Sequence, residues 1–141
     1  MAVCDLHTHS TCSDGSKTPA EIKEIYKAHM KVHQQIKAEN LYYLGAVWNW
    51  HSFSPENYYS TRALRNSMQA CREMGIENVE ICTYGDDGAE CGRFAVLPSM
   101  FYASRAAAGI TDEEQIKREF EEMFHIAYDD FLLLDLTQRA E

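Results

Sequence analysis

The sequence predicts a mixed α/β fold: a partial (β/α) barrel or small open sheet of about three parallel strands, with packed helices and an acidic helical tail. Short apolar runs alternate with segments whose apolar residues recur at helical spacing. Each of these runs is followed by a polar loop, as is typical of βα units. The chain has 141 residues, whereas a complete eight-unit barrel takes about 250, so the whole barrel is excluded.

The first βα unit is predicted from Val3–Leu6, a short strand that leads into the polar turn 7–16. Thr18 as N-cap, Pro19 at the first helical position and Glu21 three residues past the cap form a capping box. The helix should run to about residue 38 on a stripe made of Ile22, Ile25, Tyr26, Met30, Val32 and Ile36.

The second βα unit begins with Leu41–Trp48, an apolar and β-prone run that predicts a buried strand. Residues 51–57 form the loop after it. Gly75 ends the next helix, and Ile76–Thr83 supplies a further strand. The stripe of this helix consists of Ala63, Leu64, Met68 and Cys71.

The last part of the chain is predicted to be helical. One helix has Pro98 near its start and stops at Gly109. Thr111 and Glu114 form a second capping box, which opens an acidic helix, and Tyr128–Leu136 follows as a short apolar segment. Because no repeat or flexible linker interrupts the sequence, we expect a single domain, residues 1–141, in three parts: 1–30, 31–108 and 109–141.

The charge balance argues against two classes of partner. With 13 Lys and Arg against 22 Asp and Glu, the net charge is −9, which disfavours nucleic acid and anionic membranes. Ten of the carboxylates lie between Asp112 and Glu141, a pattern typical of a solvated helix face. The sequence contains neither an apolar run of about 20 residues nor the features of a signal peptide. Its five scattered cysteines suit reduced thiols, so a cytoplasmic location is expected.

A candidate metal site follows the first predicted strand, in the sequence CDLHTHSTCSDGS at residues 4–16. His7 and His9 are two residues apart at the end of a strand, so both can face one cation, and Asp14 can supply an oxygen ligand. Residues 2–24 closely resemble the first motif of the polymerase and histidinol phosphatase (PHP) superfamily of metal-dependent phosphoesterases. The resemblance implies that His7 and His9 bind a divalent metal, Zn or Mn, with Asp14 as a ligand or supporting group. No later motif matches this family, so we expect weak metal binding.

The remainder of the chain resembles a different family. The matching segments are YLGAVWNW with FSPEN (43–57), ACREMGI (70–76), TYGDDGAEC (83–91) and FAVLP (94–98). They are similar to the last two barrel units of family 20 glycoside hydrolases, which are β-N-acetylhexosaminidases and related exo-acting enzymes. The likeness continues into the helical region and covers about residues 31–137.

This second resemblance implies a hexosamine site. A pyranose offers apolar C–H faces and a rim of hydroxyls, so its pocket needs aromatic surfaces together with carboxylates. The family usually has Trp where this chain has Tyr84, and the resemblance implies that Glu90 and one aspartate hold sugar hydroxyls. The candidate sugar-binding residues are Trp48, Trp50, Tyr84, Asp86, Asp87 and Glu90, at the ends of two consecutive predicted strands.

No catalytic residue is predicted. Family 20 enzymes use an adjacent Asp-Glu pair on an earlier strand, and this chain has no matching segment. The leading interpretation is a glycoside-hydrolase-like module that keeps part of a hexosamine-binding site and is inactive alone. The alternatives are a PHP-type phosphoesterase that uses His7 and His9, and a noncatalytic chimeric or decayed fragment.

The two resemblances meet between Glu21 and Lys31, inside the first predicted helix. A fusion, a recombined fragment and an incorrect reading frame would each produce such a junction. Both sides supply βα units with parallel strands, so the joined chain is physically coherent. A sheet of three strands has open edges, which favour self-association or docking on a complementary half-barrel.

Overall fold

A three-stranded parallel sheet in the order β1-β2-β3 is the centre of the computed structural model, which describes residues 2–5, 17–37, 40–50, 53–83 and 91–137. The strands are β1 (Ala2–Asp5), β2 (Leu41–Val47) and β3 (Asn78–Thr83). In the register, Asp5 pairs with Leu44 and Val47 pairs with Thr83. The carboxyl ends of all three strands therefore lie at one edge of the sheet, as the sequence predicts.

Five α-helices accompany the sheet in the described part of the chain: α1 (Pro19–Gln34), α2 (Asn57–Met74), α3 (Leu97–Ala107), α4 (Glu113–Phe124) and α5 (Tyr128–Phe131). Short 3-10 helices cover Arg93–Val96 and Leu132–Thr137. Helix α1 connects β1 to β2, and α2 connects β2 to β3, so the described chain contains the two predicted βα units. The protein is thus a mixed α/β fold with a small parallel sheet and packed helices.

The predicted start of α1 is confirmed, but its predicted end is wrong. The Thr18 backbone N–H donates to the Glu21 carboxylate at 2.7 Å, and the Glu21 N–H donates to the Thr18 hydroxyl at 3.3 Å. The helix ends at Gln34 and is followed by a two-residue turn. The backbone then leaves the right-handed helical region at Lys37, whose φ is 55°. Ile36, which was predicted to belong to the apolar stripe, therefore lies outside the helix and is exposed.

The apolar stripe of α1 is narrower than predicted. Its buried members are Ile22, Tyr26 and Met30, which are spaced four residues apart and so share one face of the helix. Val32 is exposed because its position lies away from that face. Ile25, also in the predicted stripe, is partly buried against the same core.

The end of α2 agrees with the sequence prediction, whereas the start of α4 differs from it. Gly75 has a φ of 67° and ends α2 in the left-handed conformation, as predicted. The N-cap of α4 is Asp112 rather than Thr111. The Asp112 carboxylate accepts hydrogen bonds from the N–H groups of Glu114 and Gln115, at 3.0 and 3.3 Å. A carboxylate is also favourable at this end of the helix dipole.

One hydrophobic core joins the sheet to all five described helices. Tyr43 and Val47 of β2 face α2, which contributes Leu64 and Met68. At the other end of the core, Phe120 of α4 is fully buried. Four aromatic rings surround it, those of Phe101, Phe124, Tyr128 and Phe131.

Cys71, Cys82 and Cys91 are free thiols, and two of them, Cys71 and Cys91, are buried. Burial, followed by the nearby Asp135 carboxylate, raises the pKa of Cys91, which disfavours the reactive thiolate. Among the helices that the structure describes, none combines the length and the apolar character that crossing a membrane requires.

Candidate functional site

Of the predicted site residues, only Trp48 and Trp50 lie within the described part of the chain. The others lie outside the described residues: His7, His9 and Asp14 of the metal site, and Tyr84, Asp86, Asp87 and Glu90 of the sugar site. Their proposed roles stay predictions.

Trp48 and Trp50 directly follow β2, the central strand of the sheet. In the sequence, 6–16 follows β1 and 84–90 follows β3. Because the strands are parallel, their carboxyl ends share one edge, and binding sites of such sheets form at that edge. All three predicted site segments therefore follow strand ends at the same edge.

The two tryptophans belong to a row of three aromatic rings. The ring centroids of Trp48 and Trp50 are 4.8 Å apart, with an interplanar angle of 40°. Trp48 also contacts Tyr59 of α2, at 4.6 Å and 63°. Tyr59 is buried, whereas both tryptophans are partly exposed, so the row runs from the core towards the surface. Trp48 lies in the middle of the row and supports Trp50.

The start of α2 fixes the backbone of Trp48. The Trp48 N–H donates to the hydroxyl of Ser60 at 2.8 Å, and the Trp48 carbonyl accepts from the Glu56 N–H at 2.9 Å. Ser60 is fully buried. Both peptide groups of Trp48 are therefore tied to one helix end, which limits how the aromatic row can move.

Helix α2 is itself capped by a distant carboxylate. Its N-cap residue, Glu56, makes no capping side-chain hydrogen bond. Instead, Asp135 accepts from the Tyr58 N–H at 2.6 Å and from the Asn57 side-chain amide at 3.0 Å. Asp135 is only 1% exposed, unlike a residue of a solvated acidic face. Its carboxylate compensates the positive end of the α2 dipole.

Asn57 extends this network into α3. Its amide nitrogen also donates to the carbonyl of Ala95 at 2.8 Å, and its amide oxygen accepts from the Ser99 hydroxyl at 2.7 Å. The 3-10 helix that contains Asp135 is thereby linked to α2 and α3 at once. This link was not predicted, although a lone carboxylate inside the apolar run LLLDL was a signal for it in the sequence.

Asn49 is a second residue of the site that was not predicted from the sequence. It lies between the two tryptophans in the sequence, and it is 4% exposed. Its amide oxygen makes no hydrogen bond to any residue that the structure describes. A buried amide oxygen without a partner costs free energy, and a donor from a ligand, such as a hydroxyl, would remove that cost.

The predicted metal site stays a prediction, because its three residues lie outside the described part. Within the described ranges, no cluster of three or more His, Cys, Asp or Glu side chains is arranged to hold a metal ion.

Comparison with known proteins does not assign the chain to a family. No protein-family model matches the sequence, and the curated proteins contain no match to it. The geometry at the end of β2, together with the sequence patterns, is therefore the basis for a functional proposal.

Proposed function

We propose that the chain is a hexosamine-binding module of the family 20 glycoside hydrolase type, without a catalytic pair of its own. The observation that carries this proposal is the aromatic row at the carboxyl end of the central strand. A partly exposed indole, supported by a second indole and fixed to a helix end, provides the apolar surface that a pyranose ring needs.

The register supports a role for the carboxylates that follow β3. Val47 and Thr83 are partners in the sheet, so Trp48 and Tyr84 are the next residues after two paired positions. Asp86, Asp87 and Glu90 follow a few residues later in the sequence. In the proposal these carboxylates accept hydrogen bonds from sugar hydroxyls, while Trp50 stacks on the ring.

The same topology supports a partial barrel. Parallel strands in sequence order, connected by helices, are the repeating units of a (β/α) barrel. Among the described strands, β1 and β3 each have one neighbour. In the proposal, these strands pair with a second copy or with a complementary half-barrel, which would complete the walls of the sugar site.

The binding proposal predicts that two substitutions reduce sugar affinity to different extents. We expect N-acetylglucosamine or glucosamine to bind with a Kd in the millimolar range, about −4 kcal/mol, because part of the enclosing wall is missing. Trp50→Ala should abolish detectable binding, since it removes the contact with a whole ring face. Asp87→Asn should only weaken binding, because one solvated hydrogen bond contributes about 0.5 to 1.5 kcal/mol. Saturation-transfer NMR measures both effects.

A control for Trp50→Ala is available in the same loop. Phe53 is a strongly exposed aromatic residue, and Phe53→Ala should leave sugar binding unchanged. Each variant is first shown to be folded by circular dichroism. If the folded wild-type chain shows no saturation transfer to either sugar at millimolar concentration, the binding proposal is wrong.

The absence of a matching Asp-Glu pair predicts an absence of activity. A chromogenic N-acetylglucosaminide should show no turnover above background, because the family needs one carboxyl to orient the acetamido group and another to protonate the leaving group. Activity that survives repeated purification and disappears in Glu90→Gln would contradict the role assigned to Glu90 in binding.

A further inference from the structure

A cavity of about 300 Å³ lies among α2, α3, α4 and α5 and shares no lining residue with the tryptophan site. This volume is at the lower end of the range for small-molecule sites, about 300 to 1,000 Å³. Ile116, Tyr102 and Tyr128 form its buried floor, and the partly enclosed opening is bordered by the exposed side chains of Glu113 and Asp129. The cavity thus has an apolar, aromatic floor and a charged mouth.

One face of α2 forms a wall of this cavity. Tyr58, Thr61, Arg62 and Arg65 lie three or four residues apart, so they share that face. The Arg62 guanidinium donates to the Tyr58 hydroxyl at 3.1 Å and lies 5.3 Å from the centre of the Tyr58 ring. These two contacts hold the partly buried Arg62 guanidinium in place in the cavity wall.

The cavity lining contains three cations and two carboxylates. Arg65 forms an ion pair with Glu113, and the Lys117 ammonium donates to Asp129 at 2.9 Å. The hydrogen bond to Asp129, with further contributions from nearby carboxylates, raises the pKa of Lys117, which is therefore charged at neutral pH. Across the described residues, Arg62 has no carboxylate partner. Glu114, outside the lining, is a third carboxylate 3.7 Å from the Lys117 ammonium. Arg62 is therefore the lining cation that a ligand carboxylate can pair with.

The buried Tyr128 hydroxyl, in the cavity floor, also lacks a hydrogen-bond partner among the described residues. Tyr128 is 6% exposed, and its hydroxyl makes no hydrogen bond within the described ranges. Burial, followed by the neighbouring Tyr102, raises the pKa of Tyr128, so the phenol is neutral and can donate. The nearby Thr61 hydroxyl donates to the Asn57 carbonyl instead of to Tyr128. The neighbouring Tyr102 hydroxyl, in contrast, accepts from Arg65 Nε at 3.2 Å. A buried donor without a partner favours a ligand with a polar group.

We propose that this cavity binds a small aromatic carboxylate, whose anion pairs with Arg62 and whose ring packs on Tyr102 and Tyr128. Guanidinium and carboxylate match in a two-point hydrogen-bonded pair, and the ligand carboxylate supplies the partner that Arg62 lacks among the described residues. The tyrosine rings and Ile116 offer the apolar contact that a ring requires. The Tyr128 hydroxyl donates to the ligand.

Titration of the full chain with phenylacetate and with its neutral analogue phenylacetamide tests the proposal. By isothermal calorimetry or NMR, phenylacetate should bind with a Kd below about 1 mM, and phenylacetamide at least about tenfold more weakly. Arg62→Gln should weaken phenylacetate at least about tenfold and remove the preference for the acid. The matched control is Arg118→Gln, an exposed arginine of α4 outside the cavity lining, which should behave as wild type.

Tyr128→Phe separates a binding role from a structural one. It should weaken phenylacetate several-fold without lowering thermal stability, because it removes a hydroxyl that has no partner. A purely structural hydroxyl would show the opposite pattern, with lower stability and unchanged affinity. The proposal is overturned by three results: no binding to the folded chain, equal binding of acid and amide, or equal affinities of Arg62→Gln and Arg118→Gln. Inorganic phosphate that displaces phenylacetate at the same concentration would also overturn it, since charge alone would then be recognised.

Discussion

Replacing Asp135 by alanine is expected to lower the free energy of unfolding by about 2 to 4 kcal/mol. The substitution removes the carboxylate that accepts from the partly buried Tyr58 N–H at the start of α2. It also removes the anion that faces the positive end of the helix dipole. Equilibrium unfolding in urea, followed by circular dichroism, measures the difference in free energy.

Two further variants test the cause of this loss. Asp130→Ala changes an exposed carboxylate of α5 and should alter stability by less than about 0.5 kcal/mol. Asp135→Asn places an amide donor beside the existing donors but retains one acceptor oxygen. Because of that oxygen, it should lower the free energy of unfolding by less than the alanine variant does. Equal stabilities of Asp130→Ala and Asp135→Ala would show that the capping contact does not stabilise α2.

Asp135 also bears on the proposed sugar site. The start of α2 holds both peptide groups of Trp48, and Asp135 caps that same helix end. Loosening the cap should therefore change the environment of the indoles. We expect a change in the tryptophan fluorescence of folded Asp135→Ala, in addition to its lower stability.

Local signals made much of the fold predictable. The capping box of Thr18 and Glu21 requires only residues within one helical turn, and Gly75 ends α2 through its own backbone preference. Alternation of apolar runs and helical stripes likewise predicted parallel βα units, whose geometry places the strand ends at one edge. These features depend on short stretches of chain, so the sequence displays them directly.

Features that depend on distant parts of the chain were not predicted. Asp135 and Tyr58 are 77 residues apart, and the acidic composition around Asp135 suggested solvation instead of burial. The row formed by Tyr59, Trp48 and Trp50 likewise depends on how α2 packs against the end of β2. In the candidate site, residue type pointed to Trp50, whereas the unpartnered oxygen of Asn49 emerges only from tertiary packing.

Phe120→Ala should cause the largest loss of stability, about 3 to 5 kcal/mol. The Phe120 ring is fully buried, and its centroid lies 4.7 Å from that of Phe124 and 5.2 Å from that of Tyr128. Removing it loses the transfer free energy of the side chain and leaves a cavity among aromatic rings that cannot collapse without losing their own contacts. Urea unfolding measures the loss.

The matched control is Phe94→Ala, which deletes the same atoms from a side chain that is 82% exposed and should change stability by less than about 0.5 kcal/mol. Because Tyr128 packs on Phe120 and lies in the floor of the proposed carboxylate site, Phe120→Ala should also weaken phenylacetate binding in whatever fraction remains folded. A loss for Phe120→Ala no greater than that for Phe94→Ala would show that α4 does not pack on the core through this residue.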